Sequence, residues 1–112
     1  MAAADEGNVI HISSKEEFDK QVAAAADKLV VVDFYATWCG PCKRIKPKYI
    51  EYSKEHTHVV FLSVDVDEAT DVSDAFSISA MPTFLFLRGG KKVDEFLGGN
   101  AEKLLEKIIA NA

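Results

Sequence analysis

LVVVDFYATWCGPCKRIKP, residues 29–47, decides the architecture. Leu29 to Ala36 is an almost unbroken apolar run, rich in valine, with Asp33 inside it. Such a run reads as a central strand covered on both faces. Pro41 marks the first turn of a helix, where its missing N–H would have no partner anyway. Pro47 falls inside that helix and is expected to kink it. Between strand and helix stand Cys39 and Cys42, the only two cysteines of the chain. A crosslink that short closes almost no loop, so little loop-closure entropy would stabilise the fold. Chemistry, rather than stapling, is the better reason for the spacing.

Outward from this stretch the chain alternates strands and helices. Val9 to Ile12 reads as a short strand. Ser14 with Glu17, or Ser13 with Glu16, fits a capping box, and Phe18, Val22, Ala25 and Ala26 then lie on one helical face. Val59 to Val64 is a further strand, Ala69 to Phe76 a short helix, and Thr83 to Leu87 a buried strand. Gly89-Gly90 is a hairpin turn returning Val93 to Leu97 antiparallel. Asn100 caps a last helix with Leu104, Leu105, Ile108 and Ile109 as its apolar stripe. The order β-α-β-α-β-α-β-β-α predicts an α/β fold: a mixed sheet with helices on both faces, in which only the final hairpin has to be antiparallel. The cysteine pair falls at a strand's end and a helix's start, where active sites of open α/β sheets collect.

The chain has 112 residues, 48% of them apolar and 28% charged. That predicts one domain, 1–112, able to bury a core without disulfides, with residues 1–8 as a frayed extension. A net charge of −5 argues against nucleic-acid and anionic-membrane roles, which want a basic face. The start, MAAADEGNV, lacks the basic and apolar regions of a signal peptide, and no apolar run is long enough to span a membrane. A cytoplasmic address follows as the expectation, and there a close cysteine pair points to redox or metal chemistry.

A helix N-terminus favours a thiolate through its free N–H groups and its dipole, and the thiolate is the nucleophile. Cys39 is best placed to benefit. Cys42, one turn further in, is expected to be more buried and to resolve a mixed disulfide formed on Cys39. Gly40 lets the turn close and Pro41 stiffens it, which makes the resolving step effectively unimolecular. Lys43, Arg44, Lys46 and Lys48 add positive field, although a solvated helix face is the favoured reading of the four. A carboxylate buried at Asp33 should have a raised pKa and could accept the proton of Cys42; a strand-end residue bonded to backbone or water is the alternative. Pro82, just before a buried strand, could carry a cis bond, although by itself the sequence favours the commoner trans form.

ATWCGPC after a strand carrying Asp33, then Pro47, AMPTF at residues 80–84 and Gly98, resembles the thioredoxin family over about a hundred residues. AMPTF and VDVDE look most like cytosolic eukaryotic members, including plant h-type proteins. The resemblance implies a protein-disulfide reductase with Cys39 as nucleophile, Cys42 as resolving thiol and Asp33 assisting proton transfer. It implies a cis Pro82 facing the dithiol, and a substrate patch of Trp38, Gly40, Pro41, Ala80, Met81, Gly98 and Gly99, with the Met81 backbone pairing a substrate strand. It further implies no bound cofactor beyond a Cys39–Cys42 disulfide. NADPH would act indirectly through a thioredoxin reductase, and the clients would include peroxiredoxin-like and ribonucleotide-reductase-like proteins. The protein would be a monomer. Many bacterial members carry lysine where this chain has Ser63, and without that cation an ionised Asp33 would be less stabilised here. The extra cysteines of several animal members are missing.

Three other readings compete. Disulfide isomerases typically carry histidine in place of Pro41, and proline removes that imidazole's pull on the thiolate. A binding module, a subunit or inhibitor of other proteins with the dithiol as its sensor, is compatible with the motif as a second role. A metal site would need more ligands than two cysteines, and His56 and His58 read as strand-edge residues.

Overall fold

The computed structural model describes residues 5–112. Its elements are β1 (Val9–Ile12), α1 (Lys15–Ala25), β2 (Val30–Tyr35), α2 (Gly40–Glu55), β3 (Val60–Asp65), α3 (Thr70–Ala75), β4 (Thr83–Arg88), β5 (Lys91–Leu97) and α4 (Ala101–Asn111). The strands form one sheet in the order β1-β3-β2-β4-β5. β1 and β2 both pair parallel with β3. β4 pairs antiparallel with β2 as well as with β5, so the antiparallel part extends beyond the expected hairpin.

β2 lies at the middle of the sheet, as its unbroken apolar run implies. Its side chains alternate between two cores. Val30, Val32 and Phe34 join Ile12, Phe18, Leu62, Val64 and Val72 beneath α1 and α3. Val31 joins Ile45, Tyr49, Phe61, Phe84, Leu104 and Ile108 beneath α2 and α4. The same alternation puts Asp33 on the α2 side, which accounts for its burial.

Ser14 caps α1 through Oγ, which accepts from the Glu17 N–H at 3.2 Å. Glu17 reaches back one residue further than a standard box and accepts from the Ser13 N–H at 2.8 Å. The helix ends at Ala25. Ala26, expected on its buried face, is exposed with φ of +54°. Ile109, expected in the apolar stripe of α4, is 60% exposed, because α4 turns only Leu104 and Ile108 fully onto the sheet. Both glycines of the β4–β5 turn adopt positive φ, +59° and +78°, which a tight hairpin turn requires. Helix α2 continues through Pro47.

The expected fraying of residues 1–8 divides in two. Residues 1–4 lie outside the described residues. Asp5 to Asn8 are tied down: the Asn8 N–H donates to Ser53 Oγ at 3.0 Å, its amide donates to the Ser53 carbonyl at 3.0 Å, and Glu6 pairs with Lys46 at 3.3 Å.

Tyr49 fixes α2 against the sheet. Its hydroxyl lies 3.0 Å from the Val31 carbonyl and 2.7 Å from that of Leu62, so one O–H is shared between β2 and β3. Tyr49→Phe is expected to lower stability by about 1 kcal/mol, the ordinary worth of a buried hydrogen bond. Urea unfolding checks this, and an unchanged midpoint would mean the hydroxyl does not hold α2 in place.

Candidate functional site

Three loops meet at one end of the sheet. The β2–α2 loop brings Thr37, Trp38 and Cys39; the α3–β4 connection brings Ala80, Met81 and Pro82; the β5–α4 connection brings Gly98 and Gly99. Short contacts lock them together. The Gly98 N–H donates to the Pro82 carbonyl at 3.0 Å. Gly99 packs so closely on Pro41 that an added Cβ would lie 3.3 Å from the Pro41 Cβ and carbonyl oxygen. The Met81–Pro82 bond is cis, as the family resemblance implied and against the commoner form that the sequence by itself favoured.

Cys39 and Cys42 form a disulfide with their Cα atoms 5.3 Å apart. Cys39 is the N-cap of α2, and its sulfur does the capping: the Cys42 N–H donates to Cys39 Sγ at 3.2 Å. Serine or aspartate normally accepts that bond. Here a sulfur sits at the positive end of a helix of 16 residues, a placement that favours its anionic form once the disulfide opens. Cys39 Sγ also lies 3.6 Å from the Met81 carbonyl oxygen. Both cysteines are buried, Cys39 at 6% exposure and Cys42 at 4%, so the expected difference between them is slight. The two sulfurs face different surroundings instead. Cys39 faces Met81 and the rim, whereas Cys42 lines a cavity of about 280 Å³ that also reaches Asp33.

Asp33 is 4% exposed, and its Oδ1 has no hydrogen-bond partner. Burial pushes its carboxyl up to about 7, with Lys46 pulling weakly the other way. Among the described residues no protein group, backbone or side chain, bonds Oδ1. Ser63 stands opposite Asp33 in register on β3 and brings no charge.

Trp38 is 67% exposed, its indole N–H donating to Asp67 Oδ2 at 3.0 Å. Ala80, Gly40, Pro41 and Gly99 are exposed around it, Met81 and Gly98 are half-buried, and Pro82 is buried beneath them. All eleven positions singled out from the sequence therefore converge on one end of the sheet. Lys43, Arg44, Lys46 and Lys48 are exposed along α2. His56 and His58 lie near one another, 6.1 Å between ring centroids, and among the described residues no group of three potential metal ligands forms. Sequence reasoning missed Asp67 and Glu6. VDVDE, residues 64–68, held the signal for Asp67 as an acidic strand end; nothing local marks Glu6.

The thioredoxin family model matches residues 9–111. A thioredoxin from Mus musculus is 56% identical over 101 residues, covering 90% of this chain and 96% of that protein. A thioredoxin H-type from Oryza sativa subsp. indica is 45% identical over 109 residues, covering 96% and 89%. Among solved structures, a thioredoxin from Nicotiana alata superposes with a TM-score of 0.92 at 38% identity, covering 99% of this chain and 98% of that one.

The Asp33 carboxyl gives a signed pH test. A group whose folded pKa is raised binds its proton more tightly in the folded state, so stability is full below about pH 4 and falls as pH rises toward 7. A shift from 3.8 to about 7 corresponds to about 4 kcal/mol as an upper bound. Asp33→Asn should therefore gain stability over the unmodified protein between pH 4 and pH 8. Chemical denaturation at both pH values measures it, and a pH-independent difference would contradict a neutral buried acid.

Proposed function

The chain belongs to the thioredoxin family and is a protein dithiol–disulfide oxidoreductase; on that premise we propose that Cys39 attacks, Cys42 resolves and Asp33 handles the proton of Cys42. The observation that carries the assignment is the Cys42 N–H on Cys39 Sγ at the start of α2, with the Asp33 cavity on the other side of Cys42.

In the reduced protein the Cys39 thiolate attacks one sulfur of a client disulfide. A Cys39–client bond forms, the client's own S–S bond breaks, and its far sulfur leaves as a thiolate that takes up a proton. Cys42 gives its proton to the Asp33 carboxylate and attacks Cys39 Sγ. The Cys39–Cys42 bond forms, the mixed disulfide breaks, and the second client sulfur leaves and is protonated. Two electrons pass from the dithiol to the client; of the two protons the client takes up, one balances the proton that Cys42 releases through Asp33 and the other comes from solvent. A carboxyl pushed up to about 7 suits this work, because near neutrality it is available in both forms. The cavity is roomy enough for water to stand between Asp33 and Cys42.

Clients dock on the rim of Trp38, Gly40, Pro41, Ala80, Met81, Pro82, Gly98 and Gly99, with an extended client segment beside the Met81 backbone. The resemblance supplies the rest of this reading: a monomeric single domain working in the cytoplasm, re-reduced by a thioredoxin reductase that draws on NADPH. Its clients would be of the peroxiredoxin-like and ribonucleotide-reductase-like kinds. Among the described residues no helix is long and apolar enough to cross a membrane.

Cys39→Ser should abolish disulfide reduction, while Cys42→Ser should accumulate mixed disulfides with clients on a non-reducing gel. Trapping by Cys39→Ser instead would reverse the two roles. Asp33→Ala should slow turnover by about tenfold or more and remove a step near neutrality from the pH–rate profile. An unchanged profile would take Asp33 out of the mechanism.

A further inference from the structure

The cavity beside Asp33 is lined by titratable groups from four parts of the chain. The amino-terminal segment contributes Glu6, β1 contributes His11, β2 contributes Tyr35, and α2 contributes Lys43, Lys46 and Tyr49. His11 is already engaged, its Nε2 at 2.7 Å from Glu68 Oε1 and its Nδ1 at 3.4 Å from Ser63 Oγ. Lys46 follows Cys42 by four residues and so shares its face of the helix. It pairs with Glu6 at 3.3 Å, both side chains being about half exposed.

We propose that Glu6 and Lys46 are a positioning pair for Asp33: Lys46 supplies the positive charge that steadies the ionised carboxyl, and Glu6 sets how much of that charge turns inward. The inference rests on the reading of Asp33 as proton acceptor for Cys42. Relative strengths support it. A half-exposed ion pair contributes little to stability, so the Glu6–Lys46 contact opens at little cost. A buried carboxylate without a partner is far more expensive, and Asp33 Oδ1 has none. When Asp33 ionises it competes with Glu6 for Lys46, and when it takes up the proton Lys46 returns to Glu6. The pull of Lys46 against the effect of burial on Asp33 has the direction this requires.

The test is a carbon-13 NMR titration of the Asp33 side-chain carboxyl in the oxidised protein, where the cysteines do not titrate. Lys46→Gln should move the midpoint up by about half a pH unit, the size expected of a half-exposed charge, and Lys46→Arg should restore it. Glu6→Gln should move it down, and that effect should vanish when Lys46 is already Gln. An unmoved midpoint in Lys46→Gln, or a Glu6→Gln effect independent of Lys46, overturns the proposal. The pH–rate profile for disulfide reduction is measured on the same variants and should move with the midpoint. A midpoint that moves while the profile stays put upholds the pair and instead removes Asp33 from the proton step.

Discussion

The sulfur of Cys39 caps a helix. The Cys42 N–H that it accepts is one of the orphan donors every helix leaves at its start, and the rest of the site is arranged around that bond. β2 has to deliver the chain to this point from the centre of the sheet, so it is buried on both faces. Pro41 has to stand in the first turn, where its ring fits and its missing N–H costs nothing. Gly99 keeps the approach to Pro41 close, because an added Cβ would lie 3.3 Å from the Pro41 Cβ and carbonyl oxygen and would press them apart by a few tenths of an ångström. The positive end of α2 thus meets a sulfur rather than the oxygen of an ordinary cap, and a structural device becomes a reactive one.

The second constraint is Asp33. A β-strand alternates its side chains strictly, so a carboxyl between Val32 and Phe34 must point into the core beneath α2. An apolar residue there would pack without penalty. The carboxyl is tolerated because it stays largely neutral up to about pH 7 and because the cavity it faces also reaches Cys42. Stability and chemistry pull in opposite directions at this residue, as is common where function has shaped a core.

The parts of the fold that rest on local pattern were legible in the sequence. The valine run fixed β2, Gly89-Gly90 fixed the hairpin, and Ser14 and Asn100 marked two helix starts. What was not legible rests on contacts between distant residues. Alanines 23 to 26 carry no stop signal, so nothing in them separates the buried Ala25 from the exposed Ala26. The stripe of α4 reads four residues wide, but the sheet beneath it leaves Ile109 outside. Glu6 looked like part of a loose end because its partner is forty residues away on α2. Asp67 could be seen as acidic, but only the fold brings it to the Trp38 indole. The cis bond at Pro82 came from the family likeness and not from the proline itself.

The central claim is that α2 activates Cys39 with backbone groups and dipole, while Pro41 adds no charge between the sulfurs. The equilibrium reduction potential of the Cys39/Cys42 pair tests it most directly. Such a site should be reducing, at roughly −270 mV, the value characteristic of thioredoxins. A value close to the roughly −180 mV characteristic of protein disulfide isomerase would mean that the reduced form is stabilised by something other than the start of α2, and would contradict the account.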